Sequence, residues 1–153
     1  MTEVLFVCTG NICRSAMAEA LARHEARERR LEGVAFSSAG VSAVAGMPAS
    51  DGSRKAMEAV GLDLSAHRAR PLDRTICQGA DLILAMTGQH LDAIRKGCPL
   101  AAEKAHTIHR YVNGNGRDVE DPYGGGAETY RQCLEEIRTL VDGLLDRLEE
   151  EAV

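Results

Sequence analysis

The 153-residue chain lacks the sequence features of membrane proteins and of nucleic-acid-binding proteins. No apolar run approaches the roughly eighteen residues that a membrane helix needs, and the N-terminus has no basic segment followed by a long apolar stretch. The net charge is −5, and no basic stretch is dense enough to follow a nucleic-acid backbone. We therefore expect a cytoplasmic protein that binds neither nucleic acid nor a membrane.

The cysteines follow neither a metal-binding nor a disulfide pattern. Five cysteines, at positions 8, 13, 77, 98 and 133, fit no zinc spacing. A chain of this length can bury enough apolar surface to fold without disulfides. We expect reduced thiols, no metal and no cofactor, with Cys77 and Cys133 as small core residues and Cys98 in a loop without a functional role.

Glycine-rich nucleotide motifs are also absent after the first strand. The Walker pattern needs a Lys after its second Gly, and the dinucleotide fingerprint needs G-x-G-x-x-G in that place. Two glycine clusters, 114–116 and 124–126, lack the preceding strand and following helix that a phosphate-binding turn requires. The sequence therefore disfavours nucleotide binding and predicts loops at both clusters.

Apolar strands alternate with amphipathic helices along the chain. Strand patterns cover residues 4–7, 34–38, 82–86 and 104–108, and helix patterns cover 15–31, Ser50 to a terminating Gly61, a short segment capped by Thr87, and 130–148. The continuous apolar run at 82–86 is typical of a strand buried on both faces. This alternation predicts one α/β domain over 1–153, with a parallel sheet and a functional groove at the carboxyl ends of its strands.

A short polar loop follows the first strand. It reads Cys8-Thr9-Gly10-Asn11-Ile12-Cys13-Arg14-Ser15. The Gly-Asn pair favours a tight reversal, and Ser15 is predicted to cap the next helix. A loop that leads into a helix N-terminus directs backbone N–H groups and the positive end of the helix dipole toward one point. We therefore predict an anion site formed by residues 9–13 and Ser15.

Two side chains of this loop suit phosphoryl transfer. The anion site favours the thiolate form of Cys8, which is the nucleophilic form of a cysteine. Arg14 supplies a planar guanidinium that can hold two phosphate oxygens at once, which Lys cannot do. The pattern predicts transfer of a phosphoryl group to the sulfur of Cys8.

These residues closely resemble the CTGN-x-CRS loop, of the form C-x5-R-S, of the low-molecular-weight protein-tyrosine phosphatase family. The resemblance covers nearly the whole chain. It implies a doubly wound four-stranded parallel sheet in the order 2-1-3-4, with helices on both faces. It also implies a cysteine-dependent enzyme that hydrolyses a phosphorylated protein through a phosphocysteine intermediate.

A general acid is expected in a distant loop, because departure of the leaving group is easier when a carboxylic acid protonates it. Asp121-Pro122 is followed by Tyr123 and three glycines. The resemblance implies that Asp121 is the general acid and afterwards the base that activates water. We include Tyr123 among the substrate-binding residues.

Further residues are expected to support the loop. Ser15 can donate to the Cys8 thiolate, and the resemblance implies that Asn11 and Ser15 join a polar network with Ser38 and His67. In this network His67 orients other groups and does not react. The other histidines, at positions 24, 90, 106 and 109, are predicted at the surface or at edges.

The sequence contains conflicting indications of the substrate class. Ile12 should pack against a flat ring; tyrosine-specific family members resemble this chain there, whereas protein arginine phosphatases carry Thr. In contrast, residues 80–90 and 121–125 resemble the arginine-phosphatase branch, which has Phe at the place of Tyr123, and loop 41–50 lacks a large aromatic residue. We favour phosphotyrosine because Ile12 should touch the substrate, with phosphoarginine as the alternative.

Two functions other than protein dephosphorylation fit the sequence less well. Thiol-dependent arsenate reductases share the fold and the anion loop, but they need two further neighbouring cysteines, and Cys77 and Cys98 are 21 residues apart. A silent phosphate-binding module would lack Cys8, Arg14 or Asp121, and all three are present.

The second cysteine of the loop has two interpretations. The resemblance implies that Cys13 forms a protective disulfide with Cys8 under oxidation, because an exposed thiolate is oxidised first and a nearby thiol can capture the product. A packed, inert Cys13 at the start of the helix is an equal alternative, since cysteine is often simply buried.

Overall fold

A computed structural model shows how the chain folds, and it describes residues 1–151. The strands are β1 (Thr2–Cys8), β2 (Val34–Gly40), β3 (Leu82–Ala85) and β4 (Ala105–Thr107). The helices are α1 (Arg14–Glu28), α2 (Asp51–Ala59), α3 (Arg74–Gly79), α4 (Gly88–Gly97), α5 (Ile108–Asn113) and α6 (Ala127–Glu151), with a 3-10 helix at Pro99–Lys104 between α4 and β4. Strands and helices alternate as the sequence predicts.

The four strands form one parallel sheet in the order β2-β1-β3-β4. Val4 of β1 lies opposite Phe36 of β2 on one side and Leu82 of β3 on the other. The predicted fold class and strand order are therefore confirmed. Because all four strands are parallel, their carboxyl ends lie at one edge, where Cys8 ends β1.

Both faces of the sheet are covered. Val4 and Phe6 of β1 belong to one apolar cluster, while Leu5 and Val7 belong to another, and none of the four is more than 1% exposed. The first cluster includes residues of α1, α2, α5 and α6, and the second includes residues of α3, α4 and the 3-10 helix. Successive strand residues point to opposite faces, so a continuously apolar β1 is what a doubly covered sheet requires.

The start and end of α1 differ from the prediction. The helix begins at Arg14, and Cys13 takes the N-cap position without a side-chain cap, so Ser15 lies inside the first turn. The hydroxyl of Ser15 is instead 2.9 Å from the sulfur of Cys8. The helix ends at Glu28, before the predicted residue 31, and Arg30 has a left-handed φ of 55° that cannot continue a helix.

Some of the other helix ends agree with the capping residues predicted from the sequence. Ser50 and Thr87 cap α2 and α4 as predicted, and Gly61 has the positive φ of 82° expected after α2. In contrast, the predicted strand 104–108 is shorter, because Thr107 caps the unpredicted helix α5. Six residues are too few to show a helical period.

Two of the histidines that were predicted at the surface or at edges are buried. His90 is 5% exposed and His109 is 4% exposed. The Nε2 atom of His109 lies 2.6 Å from Glu136 Oε2, so a carboxylate partner from α6 compensates its burial. That partner is 27 residues away, which is why the local sequence does not reveal it.

No helix within residues 1–151 combines the length and the apolar character needed to span a membrane.

The end of β2 constrains the loop that follows β1. A Cβ atom at Gly40 would lie 2.9 Å from the backbone N of Asn11 and closer still to the carbonyl oxygen of Thr9. Only a residue without a side chain therefore lets β2 pass this close to the loop.

We predict that Gly40→Ala destabilises the protein by about 1–3 kcal/mol, because backbone atoms must move to accept the added methyl group. Chemical denaturation measures this loss. Gly79→Ala is the control, since a Cβ at Gly79 meets no atom within 4 Å. Equal stability of the two variants would contradict the close approach of β2 to the loop.

Candidate active site

The loop after β1 presents unpaired backbone donors. Its carbonyl groups are held from outside: Val41 N donates to Cys8 O and Ser50 N donates to Ile12 O, both at 2.9 Å. Within the described residues, the backbone N–H groups of residues 9–13 donate to no protein acceptor. Free N–H groups in a loop that enters a helix form an anion-binding concavity.

A directed set of hydrogen bonds reaches the Cys8 sulfur. Asn11 Nδ2 donates to Ser15 Oγ at 2.8 Å, and Ser15 Oγ lies 2.9 Å from Cys8 Sγ. Because Ser15 already accepts a hydrogen bond from Asn11, its own proton is available to Cys8. The arrangement suits a thiolate, which is the form that accepts such a bond.

Asn11 holds the loop from several directions. Its φ of 57° is left-handed, a conformation that Asn tolerates better than most residues. Its Nδ2 also donates to Ser38 Oγ at 2.8 Å, its Oδ1 accepts from Arg70 N at 3.0 Å, and its carbonyl oxygen lies 2.6 Å from His67 Nε2. His67 and Ser38 therefore contact Asn11 and not the sulfur, which is the placement expected for orienting residues.

Arg14 is buried, and one of its guanidinium nitrogens has no hydrogen-bond partner within residues 1–151. Its Nη1 donates to Val119 O at 2.8 Å, and its Nη2 donates to Thr9 Oγ1 at 3.3 Å. Its Nε is buried and has no hydrogen-bond partner within residues 1–151. An unpaired buried donor is costly, so this nitrogen is suited to receive a phosphate oxygen.

Asp121 lies in the loop before α6 and approaches the same arginine. Its Oδ2 atom is 3.7 Å from Arg14 Nη2, and its side chain is 50% exposed. Its Oδ1 accepts from Tyr123 N at 3.1 Å, while Val119 N donates to Met86 O at 2.9 Å and fastens the loop to the end of β3. A carboxyl group that is fixed locally and open to solvent can exchange protons with both a ligand and water.

One small cavity collects most of the candidate residues. It has a volume of about 200 Å³ and is lined by Cys8, Thr9, Gly10, Ile12, Cys13, Arg14, Asp121 and Tyr123. Ile12 and Tyr123 supply its apolar surface, and Tyr123 is 67% exposed. Among residues 1–151, no group of three or more His, Cys, Asp or Glu side chains is placed to hold a metal ion.

Comparison with known proteins agrees with this geometry. The family model of low molecular weight phosphotyrosine protein phosphatases matches residues 3–153. The chain belongs to this family. It is therefore a cysteine-dependent phosphatase, and its family acts on phosphorylated proteins.

The relatives of this phosphatase carry two substrate names. A protein-arginine-phosphatase of Geobacillus stearothermophilus is 40% identical over 97% of both chains. A low molecular weight protein-tyrosine-phosphatase of Streptomyces coelicolor is 37% identical over 97% of this chain and 94% of the relative. A solved cysteine-to-serine mutant of the YwlE arginine phosphatase, with a phosphorylated active-site serine, is 36% identical, covers 97% of this chain and 96% of its own, and has a TM-score of 0.94.

The second cysteine of the phosphatase loop is held by other residues. The sulfur of Cys13 lies 3.0 Å from Ser50 Oγ and 3.5 Å from Tyr130 OH. Burial raises the pKa of the Cys13 thiol, although these hydrogen bonds act in the opposite direction. These contacts favour the packed alternative for Cys13, and its disulfide with Cys8 stays a prediction.

The structure corrects the view of Cys77 and Cys98 as distant residues. Both are buried and line one cavity between α3 and the 3-10 helix. Burial and the neighbouring Cys98 raise the pKa of Cys77 to about 12. The two cysteines belong to the second apolar cluster, whereas Cys8 belongs to the first, on the opposite face of the sheet.

His90 is the site residue that sequence reasoning missed. Its Nε2 atom lies 2.8 Å from Thr9 Oγ1, although the two residues are 81 positions apart. Burial, together with the charge of Arg14, lowers the pKa of His90 to about 4. Its position in the sequence could have indicated this role, because His90 lies in the first turn of α4, directly after the strand that pairs with β1.

Proposed function

We propose that this phosphatase hydrolyses phosphotyrosine in proteins, with Cys8 as nucleophile. The observation that supports this substrate is the pair Ile12 and Tyr123, which line the cavity that also contains Cys8 and Asp121. A flat phenyl ring gains by leaving water between a branched aliphatic side chain and an aromatic ring. A guanidinium group can also stack on Tyr123, so the preference for a phenyl ring rests on the aliphatic side chain of Ile12.

In the first step, the loop N–H groups and Arg14 bind the phosphate oxygens. The Cys8 thiolate attacks phosphorus, a sulfur–phosphorus bond forms, and the bond from phosphorus to the phenolic oxygen breaks. Asp121, as the protonated acid, donates its proton to the departing oxygen. The products of this step are the substrate protein with an unmodified tyrosine side chain and the phosphocysteine at position 8.

In the second step, the Asp121 carboxylate takes a proton from water as that water attacks phosphorus. The sulfur–phosphorus bond breaks, inorganic phosphate forms, and Cys8 returns to a thiolate that accepts a hydrogen bond from Ser15. The Cys8 thiolate and the phosphate are both negatively charged, and the neighbouring Arg14 guanidinium offsets their repulsion.

Phosphoarginine is the second candidate substrate. The relatives at 40% and 38% identity are named protein-arginine-phosphatases, and this observation favours it together with the resemblance of residues 80–90 and 121–125 to that branch. Arsenate reduction is disfavoured, because Cys13 is the one other cysteine among residues 1–151 that lines the Cys8 cavity. A catalytic thiolate works in a reducing compartment, so we place the activity in the cytoplasm.

We predict that Cys8→Ser abolishes turnover of aryl phosphates and leaves the fold intact, because a hydroxyl is far less ionised than a thiol in the same site. Mass spectrometry of the variant after incubation with substrate should detect a phosphoryl group retained on the introduced side chain. Cys98→Ser is the control and keeps its activity. Turnover of Cys8→Ser near the natural rate would refute the mechanism.

We predict that Asp121→Asn loses about 10²–10⁴-fold in kcat on phenyl phosphate and much less on p-nitrophenyl phosphate, whose leaving group needs no proton. Glu120→Gln removes the same charge from the neighbouring position and serves as the control. An equal loss of kcat on both substrates would assign Asp121 a structural role.

We predict that Ile12→Thr shifts the ratio of kcat/KM for phosphotyrosine and phosphoarginine peptides toward phosphoarginine. Loss of the apolar wall should weaken transition-state binding of the phenyl group by roughly 1–3 kcal/mol. Val44→Thr makes a similar change at a position that does not line the cavity. If the unchanged protein already prefers phosphoarginine, the second candidate replaces the first.

A further inference from the structure

We propose that His90 is a positioning residue of this phosphatase, which holds the Thr9 hydroxyl so that Thr9 in turn fixes the Arg14 guanidinium at the phosphate site. The proposal rests on the proposed phosphate-binding role of Arg14. It concerns a histidine that the mechanism above does not use.

Two hydrogen bonds through the Thr9 hydroxyl connect His90 to Arg14. His90 Nε2 lies 2.8 Å from Thr9 Oγ1, and Thr9 Oγ1 accepts from Arg14 Nη2 at 3.3 Å. The histidine itself is fixed, because it is 5% exposed and its backbone N donates to Thr87 Oγ1 at 3.2 Å. The imidazole therefore offers Thr9 a rigid partner.

The available protons fix the direction of one of these hydrogen bonds and leave the other to the tautomer of His90. Arg14 can only donate, so Thr9 Oγ1 is the acceptor of that bond. Thr9 Oγ1 keeps its own proton and a second lone pair, so His90 Nε2 can either accept from it or donate to it, depending on the tautomer. Arg14 opposes protonation of His90, while Asp118 and Asp121 face it with the opposite sign.

The remaining ring nitrogen argues against a purely structural histidine. His90 Nδ1 is buried and has no hydrogen-bond partner within residues 1–151. A buried polar atom without a partner destabilises the fold, and an apolar side chain of similar size would avoid that cost. His90 therefore carries a stability disadvantage that its contact with Thr9 alone explains.

The Arg14 guanidinium is therefore held through two of its three nitrogen atoms. Val119 O binds Nη1 and Thr9 Oγ1 binds Nη2, which leaves the unpaired Nε for an oxyanion. If His90 no longer orients the Thr9 hydroxyl, Arg14 Nη2 loses its fixed partner and the guanidinium can rotate. A bidentate contact depends on this orientation, so phosphate affinity and turnover should both fall.

The first test compares His90→Leu with His90→Gln. Leu removes the hydrogen-bond partner of Thr9, whereas the Gln side-chain amide, which can donate or accept, can replace Nε2. We expect His90→Leu to lose about 10–100-fold in kcat/KM for p-nitrophenyl phosphate and about tenfold in affinity for inorganic phosphate, with His90→Gln within about threefold of the unchanged protein. His106→Leu is the control and keeps both values.

The second test is a double-mutant cycle with Thr9→Val. If His90 acts through Thr9, His90→Leu causes no further loss of phosphate affinity in the Thr9→Val background. Additive losses would overturn the proposal, as would a His90→Leu variant with unchanged affinity or a folded His90→Gln variant as impaired as His90→Leu.

These outcomes are distinguishable from failure of the proposed function. Phosphate affinity, measured by calorimetry, reports on the Arg14 site even if phosphotyrosine is not the substrate. Thermal unfolding identifies any variant that fails to fold, and Thr9→Val then tests the same contact from the other side: unchanged phosphate affinity in Thr9→Val would overturn the proposal.

Discussion

The hydrogen bonds of Asn11 are the constraint on which the rest of the site depends. One residue in a left-handed conformation binds Ser15, Ser38 and the backbone of Arg70, and its own carbonyl lies against His67. These contacts come from α1, from β2 and from the segment between α2 and α3. The loop conformation is therefore fixed by three parts of the fold. In that conformation the backbone N–H groups of residues 9–13 stay unpaired within the described residues.

The sheet brings these parts together. Parallel strands end at one edge, so Cys8 at the end of β1 lies beside Gly40 of β2 and near the segment that follows β3. The acid loop is fastened to the same edge, because Val119 N donates to Met86 O. A nucleophile near the N-terminus and a carboxylate 113 positions later thus share one cavity through the strand order and this hydrogen bond.

The sequence allowed prediction of the features that are local. The loop from Cys8 to Ser15 is contiguous and could be interpreted directly, and the alternation of strands and helices indicated the doubly covered sheet. Among the features that depend on distant partners, only those that the family resemblance implied were predicted, namely the contacts of Asn11 with Ser38 and His67 and the place of Asp121. The hydroxyl of Ser15 serves Cys8 instead of a helix cap, His90 meets Thr9 across 81 positions, and Cys77 approaches Cys98 across 21 positions.

The backbone and the side chain of Val119 have different roles. The carbonyl oxygen binds Arg14, and the side chain is fully buried in the first apolar cluster. Any residue can supply a carbonyl, so the contact with Arg14 does not depend on which side chain stands at position 119. Because Val119 N also donates to Met86 O, backbone contacts and apolar packing set the point from which the chain presents Asp121 two residues later, without a polar side chain at position 119.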